Sequence, residues 1–510
     1  MAAAGIVCRM LGLAFRIPLA NIVGNFGMGL YQMVFPIYAL LLIVSSAGIP
    51  IAISKMVAKE HTAGNAHECK RILRASVGLL VVVGLIFSIA LFALAIPIAK
   101  LQGNPDVVKI YYAIAPSILL VCIISAFRGY FQGMQNMVPT AVSQIIEQFI
   151  KVGIGLVLAM LLAPISPEWA VFGAILALTI SEVFALLFLI IIYLKHRKKP
   201  TEQDIDNKNL SERTGPAFRL SMTILKQSIP VTAMAAIFPL ILVFDSLVVI
   251  AMLQRAGHDN TVATQLFGIS TGTVHTLINM PAVLGVAVAT AVVPTVSALL
   301  KQNKKQELHA KCALAVKLIT LIALFFTLFY IAFSGRIINL LYASAFKNNA
   351  EHFRIATWLL KIEATMIMLM GISQVFTAML QGAGRARYPL IAISIGGAVK
   401  IAVQLSLLMT PVGIFAVSIG NVLCFMIAGT LNTWFAIKYF KFRPGGFCKI
   451  WWKFFILLAV HGAMLATMVF LIPDGKLWIL LFGAIAFTVY VTLIWVLKLI
   501  RTTELAYDKT

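Results

Sequence analysis

Charge is scarce in this chain. Only 12% of its 510 residues are charged, and Asp and Glu together number 18. Soluble proteins carry roughly 25% charged residues, so this composition excludes an ordinary soluble domain. Long apolar runs such as 77–99 and 454–472 take the place of charge. Each is about 20 residues long, enough for a helix to cross a hydrocarbon core of ~30 Å. Because lipid cannot satisfy free backbone groups, the sequence predicts an all-α polytopic membrane protein.

The signatures of catalysis, metal binding and disulfide formation are lacking as well. The six cysteines are scattered and form no C-x-x-C pair. No P-loop, HExxH or GxSxG motif occurs, and the loops are too short to form a catalytic domain. No cleavable signal peptide is evident at the N-terminus. We therefore expect neither an enzyme nor a resident metal or cofactor.

The net charge of +23 raises the question of nucleic-acid binding. The lysines and arginines, however, lie mostly in short loops between apolar runs, and every second loop is poor in them. This alternation sets membrane orientation, with the basic loops in the cytoplasm. The sequence therefore predicts no nucleic-acid partner, and it predicts that both termini and the polar stretch 195–219 are cytoplasmic.

About fourteen transmembrane helices are predicted, among them a first span at 5–24 and a second at 30–54, joined by the segment GNFGMG. They group into two six-helix lobes followed by two further helices. The N-terminal lobe is predicted at 1–195 and a cytoplasmic linker at 196–222. The C-terminal lobe is predicted at 223–438, and the last two helices with a short cytoplasmic tail at 439–510.

An internal repeat indicates that the two lobes are homologous. A shift of 249 residues aligns the stretch beginning at Phe127 with that beginning at Phe376. Each stretch reads as an apolar helix, a polar QG turn, and a proline that opens the next helix, where its missing N–H has no intrahelical partner. Many transporters are built from such repeats, with the substrate site at the repeat interface. The aligned pairs are Gln132–Gln381, Gly133–Gly382 and Lys151–Lys400.

Charged residues inside the spans are candidates for function, because such charges are costly unless they face a cavity or a partner. In the N-terminal lobe they are Arg9, Arg16, Arg128, Glu147, Lys151 and Glu182. Glu147 and Lys151 are spaced i,i+4 and are expected to pair on one helix face. Cations outnumber carboxylates in this lobe, which favours an anionic substrate. In the C-terminal lobe the charged or titratable residues are Asp245, His275, Lys361, Glu363 and Lys400.

Three stretches closely resemble one known family. They are the run from Arg9 to Glu60, the motif FRGYFQGMQNMVPTAVSQIIEQ, and the motif GISTGTVHTLINMPAVLGVAVATAVVPTVS. They resemble the polysaccharide biosynthesis and stage V sporulation protein B family of the multidrug/oligosaccharidyl-lipid/polysaccharide (MOP) flippase superfamily, which is related to the MurJ-type lipid II flippases. The resemblance implies two six-helix lobes, two extra helices and a central cavity. It also implies that undecaprenyl-pyrophosphate-linked sugars are exported by alternating access.

The resemblance also implies roles for single residues. Arg9 and Arg16 match two first-helix arginines that hold the substrate diphosphate in MurJ-type relatives, with one extra residue between them. The arginine of the eighth helix is absent, and His275 occupies that region. Relatives bind sodium in the C-terminal lobe, so Asp245 is the candidate for coupling to Na⁺ or protons.

The leading hypothesis is a flippase for a lipid-linked anionic oligosaccharide, such as lipid II or another cell-wall, spore-cortex or polysaccharide precursor, in a bacterial plasma membrane. Substrate contacts are expected from Arg16, Arg9, Arg128, Lys151, Glu147 and His275. Membrane lipids and cell-wall synthesis proteins are the other partners considered. The alternative is a multidrug cation antiporter of the same superfamily, but a net positive lobe repels cationic drugs. A membrane scaffold would leave the charges inside the spans unexplained.

Overall fold

Helices make up almost all of the structure. The computed structural model of the chain describes residues 2–195, 217–347, 349–441, 445–471, 473 and 475–500. In chain order the helices are α1 Ala2–Ser46, α2 Ile49–Thr62, α3 Ala66–Leu101, α4 Val107–Gly133, α5 Val138–Leu162, α6 Pro167–Lys195, α7 Ala217–Arg255, α8 Asn260–Phe267, α9 His275–Lys301, α10 Lys305–Phe346, α11 Ala350–Gly382, α12 Arg387–Leu407, α13 Phe415–Phe440, α14 Gly445–Leu471 and α15 Lys476–Val496. A π-helical segment, Gly268–Val274, joins α8 to α9.

The predicted membrane fold is confirmed. Within the described residues, thirteen helical stretches are long and apolar enough to cross a membrane. One of them, Met10–Thr62, contains the first predicted span from residue 10 onwards and all of the second. The segment GNFGMG, predicted to be a loop between these spans, is instead part of helix α1, which is kinked at Gly24. Gly24 has a φ of 66°, a conformation open to glycine because it lacks a Cβ.

The chain divides into two compact units, residues 1–268 and 269–510. The first unit includes α7 and α8, whereas the sequence analysis assigned residues from 223 onwards to the C-terminal lobe. Two contacts hold α7 in this unit. The backbone N–H of Gly48 donates to Thr232 Oγ1 at 3.2 Å, and Gln254 Nε2 donates to the carbonyl oxygen of Gly103 at 2.8 Å. The predicted linker 196–222 lies mostly outside the described residues, and the predicted lobe boundaries stay a prediction.

In the second unit, the last two helices pack against α10. Leu321, Phe325 and Tyr490 belong to one buried cluster that joins α10, α14 and α15. The Tyr490 hydroxyl also donates to the carbonyl oxygen of Leu321 at 2.7 Å. Burying these apolar faces contributes free energy in proportion to the area removed from solvent. The two C-terminal helices are thus an integral part of the second unit.

The repeat found in the sequence corresponds to a repeated packing contact. A Cβ added to Gly133 would lie 2.6 Å from the Cβ of Val57, on α2. A Cβ added to Gly382 would lie 2.7 Å from the carbonyl oxygen of Val293 and 3.0 Å from the Cβ of Val296, on α9. In each unit the glycine of the QG pair therefore lets a long helix approach an earlier one closely. Small residues at helix crossings serve this purpose in membrane proteins.

We expect that Gly133→Ala and Gly382→Ala each destabilise the protein by about 1–3 kcal/mol, the usual cost of overpacking a tight contact. Gly153 on α5 is the matched control, because a Cβ there would meet no atom within 4 Å. Gly153→Ala gains the same helix propensity without a clash. Thermal unfolding of the purified variants measures the difference. Equal stability of Gly133→Ala and Gly153→Ala would show that the contact at Gly133 is not tight.

Candidate cationic site in the first unit

Helices α1 and α5 pack together where they carry two of the predicted cations, Arg16 and Lys151. A Cβ added to Gly155 would lie 3.0 Å from the Phe15 ring, and one added to Gly12 would lie 4.0 Å from Gln148 Oε1. Lys151 falls between Gln148 and Gly155 on α5, next to the part of α1 that carries Arg16. The ammonium of Lys151 is accordingly near the carboxylate of Glu147, which attracts it, and the guanidinium of Arg16, which repels it. Two predicted substrate-binding residues thus lie together in the first unit.

Arg128 on α4 completes this group. Its Nη2 donates to Glu147 Oε2 at 3.0 Å, and its Nε donates to Ser143 Oγ at 3.1 Å. The side chains of Arg128 and Glu147 are 16% and 23% exposed, so the ion pair is largely shielded from solvent. A guanidinium has five N–H donors in a planar fork. Its remaining donors are therefore available to a further anion.

The expected pairing of Glu147 with Lys151 was wrong. The structure pairs Glu147 with Arg128 of another helix. The i,i+4 spacing allows the local pair, but the guanidinium offers a charge-assisted hydrogen bond with better directionality than a lysine ammonium. Among the residues that the structure describes, no hydrogen bond or ion pair involves Lys151. Lys151 thus forms no direct ion pair with a described residue, but the nearby carboxylate of Glu147 still attracts its ammonium.

Arg16 is half-buried and lies against aromatic rings. Its Cζ is 5.4 Å from the ring centroid of Phe35 and 5.9 Å from that of Tyr31. Cation–π contacts of this kind contribute about 0.5–2 kcal/mol and hold a guanidinium without neutralising it. No acidic side chain of the described part of the chain forms an ion pair with Arg16. Arg9 lies on α1, but its side chain is outside the described residues.

Glu182 of α6 lies in the first unit; the sequence analysis named it as a charge inside a span but not as a substrate contact. It is 2% exposed. The Tyr38 hydroxyl donates to Glu182 Oε1 at 2.9 Å and lies 2.5 Å from Ser117 Oγ. Glu182 Oε2 has no hydrogen-bond partner among the described residues. The signal was present as an acidic residue inside an apolar span, but its contact with Tyr38 depends on tertiary packing.

In the second unit, His275 lies beside a buried carboxylate instead of standing alone. Its Nδ1 is 3.6 Å from Glu363 Oε2, an ion pair when the imidazole is protonated. Glu363 is fully buried, and its Oε1 accepts hydrogen bonds from Ser418 Oγ at 2.8 Å and Asn421 Nδ2 at 3.2 Å. Lys361 faces elsewhere, with its Nζ 4.6 Å from the ring centroid of Trp358. Glu363 is the second acidic residue whose partners the sequence did not indicate.

Asp245, the candidate for ion coupling, lies on α7 and is 4% exposed. By compactness it belongs to the first unit, although the prediction assigned it to the C-terminal lobe. Over the residues that the structure describes, no three His, Cys, Asp or Glu side chains cluster closely enough to hold a metal ion. The arrangement in the first unit suits the binding of an anion. The buried acids Glu182, Glu363 and Asp245 suit the exchange of a proton or cation.

Known families match most of the chain. Residues 1–300 match the family described as polysaccharide biosynthesis protein, and residues 236–405 match the family described as MatE. Stage V sporulation protein B of Bacillus subtilis is 31% identical over 345 residues, which are 67% of this chain and 65% of that protein. The chain thus spans just under two thirds of that relative. Lipid II flippase MurJ of Bacillus subtilis is 25% identical over 496 residues, 91% of this chain and 85% of that protein.

Solved structures show the same fold. A lipid II flippase MurJ in an inward closed conformation superposes with a TM-score of 0.62 at 16% identity, covering 96% of this chain and 97% of that one. An inward-facing multidrug resistance MATE family transporter of the MOP superfamily superposes with a TM-score of 0.67 at 16% identity, covering 85% and 94%. Since the first family match covers residues 1–300, more than half of the chain, the chain belongs to the polysaccharide biosynthesis protein family.

Proposed function

We propose that the protein is a flippase that moves a polyprenyl-diphosphate-linked sugar from the inner to the outer leaflet by alternating access. The observation that carries this proposal is the cationic group of the first unit. Arg16, Arg128 and Lys151 come from three helices, and the ion pair of this group joins Arg128 to Glu147. A cation inside a membrane span that lacks a counter-ion must face water or an anion. The relative named lipid II flippase MurJ supports the same substrate class.

The chemistry of a diphosphate fits these three side chains. Arginine binds two phosphate oxygens at once through its planar fork, and lysine adds a compact positive charge. Arg16 is held by aromatic contacts, so its donors are not consumed by a protein carboxylate. Arg9 is the other candidate on α1. His275 contacts Glu363, so its proposed role moves from substrate binding towards coupling.

Transport against a gradient needs an energy source, and we propose that a buried acid couples it to Na⁺ or protons. Asp245 remains the first residue to test, and the geometry adds Glu363. The fully buried carboxylate of Glu363 lies 3.6 Å from the imidazole of His275, so an acid and a base are neighbours in the second unit. We expect no resident cofactor and no catalytic step.

The chain is a multi-pass membrane protein, and we propose that it works in a bacterial plasma membrane with both termini in the cytoplasm. The orientation rests on the alternation of basic and non-basic loops. Its partners would then be the lipid-linked sugar, the surrounding lipids and cell-wall synthesis proteins.

A multidrug cation antiporter is the second candidate. The match to the MatE family over residues 236–405 and the buried Glu182 favour it. Against it, the cations of the first unit repel a positively charged drug, and Glu182 is engaged by Tyr38.

Reconstitution into liposomes distinguishes the two candidates. We expect fluorescently labelled lipid II to cross the bilayer at a rate that depends on the protein, while the cationic dye ethidium does not cross. The measurement is repeated with Na⁺ and proton gradients present and collapsed, and Asp245→Asn is expected to lose the acceleration that one gradient provides. Transport of ethidium without transport of lipid II would contradict the flippase and support the antiporter. Equal rates for Asp245→Asn and the unmodified protein in every gradient would refute the role of Asp245.

A further inference from the structure

A basic cavity follows the first part of α10. It has a volume of about 810 Å³, and its described lining includes Lys304, Lys305, Lys311 and Lys317. One acidic residue, Glu307, also lines it, with its Oε2 3.6 Å from Lys304 Nζ. Four lysines against one glutamate make this cavity strongly positive. It belongs to the second unit, and none of its lining residues is part of the cationic site described above.

The helical period shows which side of α10 faces the cavity. Leu308, Cys312 and Ile319 of α10 are buried in the core of the second unit and share one face of the helix. Ala310, Ala313 and Lys317 share the opposite face of the same helix and line the cavity, since α-helical positions three or four residues apart share a face. Lys311 lies at the edge of the buried face, three residues after Leu308. The small side chains Ala310 and Ala313 leave room between the lysines. The cavity wall is therefore apolar at its base and basic around it.

The cavity lies where a membrane surface is expected. It begins in the turn between two helical stretches that are apolar enough to span a membrane, Asn260–Lys301 and Lys305–Phe346. The part of α10 before its first kink at Phe333, residues 305–332, has 28 residues, about 42 Å at 1.5 Å per residue, which exceeds the ~30 Å thickness of the hydrocarbon core. Part of α10 must extend beyond the hydrocarbon. The end that carries the lysines is suited to this position, because long lysine side chains at helix ends reach the headgroup layer.

We propose that this cavity binds the headgroup of an anionic phospholipid. Basic pockets between spanning helices recognise anionic headgroups through charge, and lysines clustered beside a span draw anionic lipid to a protein. The apolar base formed by Ala310, Ala313 and Leu314 suits the glycerol and the start of the acyl chains. A soluble phosphate would use the lysines but gain nothing from this apolar surface. The site would anchor the α9–α10 end of the second unit to the membrane surface, independently of the substrate that the protein transports.

Native mass spectrometry of the full chain in neutral detergent tests this site with phosphatidylglycerol as the probe. We expect phosphatidylglycerol to bind more tightly than phosphatidylcholine. The double variant Lys311→Gln/Lys317→Gln should weaken phosphatidylglycerol binding about 30-fold, from roughly five- to sixfold for each lysine. Lys55→Gln/Lys59→Gln is the matched control. Both lysines are exposed and lie i,i+4 on α2, and the two substitutions remove the same amount of charge. The control should change the dissociation constant by less than about threefold.

Three outcomes would overturn the proposal. Equal affinity for phosphatidylglycerol and phosphatidylcholine would show that the charge of the headgroup does not determine binding. If the two double variants weaken phosphatidylglycerol binding equally, the lipid is attracted by the basic surface of the protein in general and not by this cavity. Binding of glycerol 3-phosphate as tight as that of phosphatidylglycerol would assign the cavity to a soluble anion. If the glutamine variant is poorly folded, Lys311→Arg/Lys317→Arg keeps the charge and should retain binding.

Discussion

Arg16→Ala is expected to reduce lipid II transport in liposomes by about 10- to 150-fold, since a hydrogen bond to a charged group contributes about 1.5–3 kcal/mol. Arg16 is half-buried, its guanidinium rests against Phe35 and Tyr31, and no described carboxylate pairs with it. Removing it should therefore leave the packing of α1 largely intact while it removes an anion-binding group. Arg16→Lys keeps the charge but loses the fork, so we expect an intermediate rate.

Arg74→Ala provides the control for this experiment. Arg74 is an exposed arginine of α3 in the same unit, and we assign it no contact with substrate. Its loss should leave the transport rate within about twofold of the unmodified protein, because exposed charges contribute little. All variants are compared at equal amounts of reconstituted protein. A fully active Arg16→Ala protein would show that Arg16 is held only by its aromatic neighbours and does not bind substrate.

Reversing the charge of Arg128 is expected to have the largest effect on stability. Arg128→Glu places two carboxylates where the structure has an ion pair of 3.0 Å. Breaking a buried ion pair costs about 3–5 kcal/mol, and we expect about 3 kcal/mol here because both side chains retain some exposure. The double variant Arg128→Glu/Glu147→Arg restores the opposite charges and should recover at least half of the lost stability. Thermal unfolding of purified protein is the measurement.

Glu147→Gln separates the structural part of this pair from transport. The amide keeps a hydrogen-bond acceptor for Arg128 but removes the negative charge. We therefore expect Glu147→Gln to keep more transport activity than Arg16→Ala. If Arg128→Glu is as stable as the unmodified protein, or if the exchanged pair is no more stable than the single variant, the ion pair does not hold α4 to α5.

The sequence by itself determined that the chain is a helical membrane protein with an internal repeat. Apolar runs such as 77–99 are not stable when exposed to water. In lipid they must be helices, because every backbone N–H and C=O group needs a hydrogen-bond partner within the segment. The QG pairs at Gln132 and Gln381 indicated the repeat. The structure adds the reason, since Gly133 and Gly382 each permit a close helix contact within their own unit. Composition and local spacing are enough for such conclusions, because each depends on neighbouring residues alone.

Which charges neutralise each other was decided only by the tertiary structure. Local spacing favoured Lys151 as the partner of Glu147, but Arg128, 19 positions earlier in the chain, takes that place. His275 and Glu363 are 88 positions apart, and Tyr38 and Glu182 are 144 apart. An ion pair or hydrogen bond needs its atoms within about 3–4 Å and correctly oriented, and sequence patterns carry no such distance between separate helices. The lysines of α10 show both parts: the sequence supplies their charge, and the packing of one face of the helix against the core leaves Lys317 on the opposite face, where it lines a cavity.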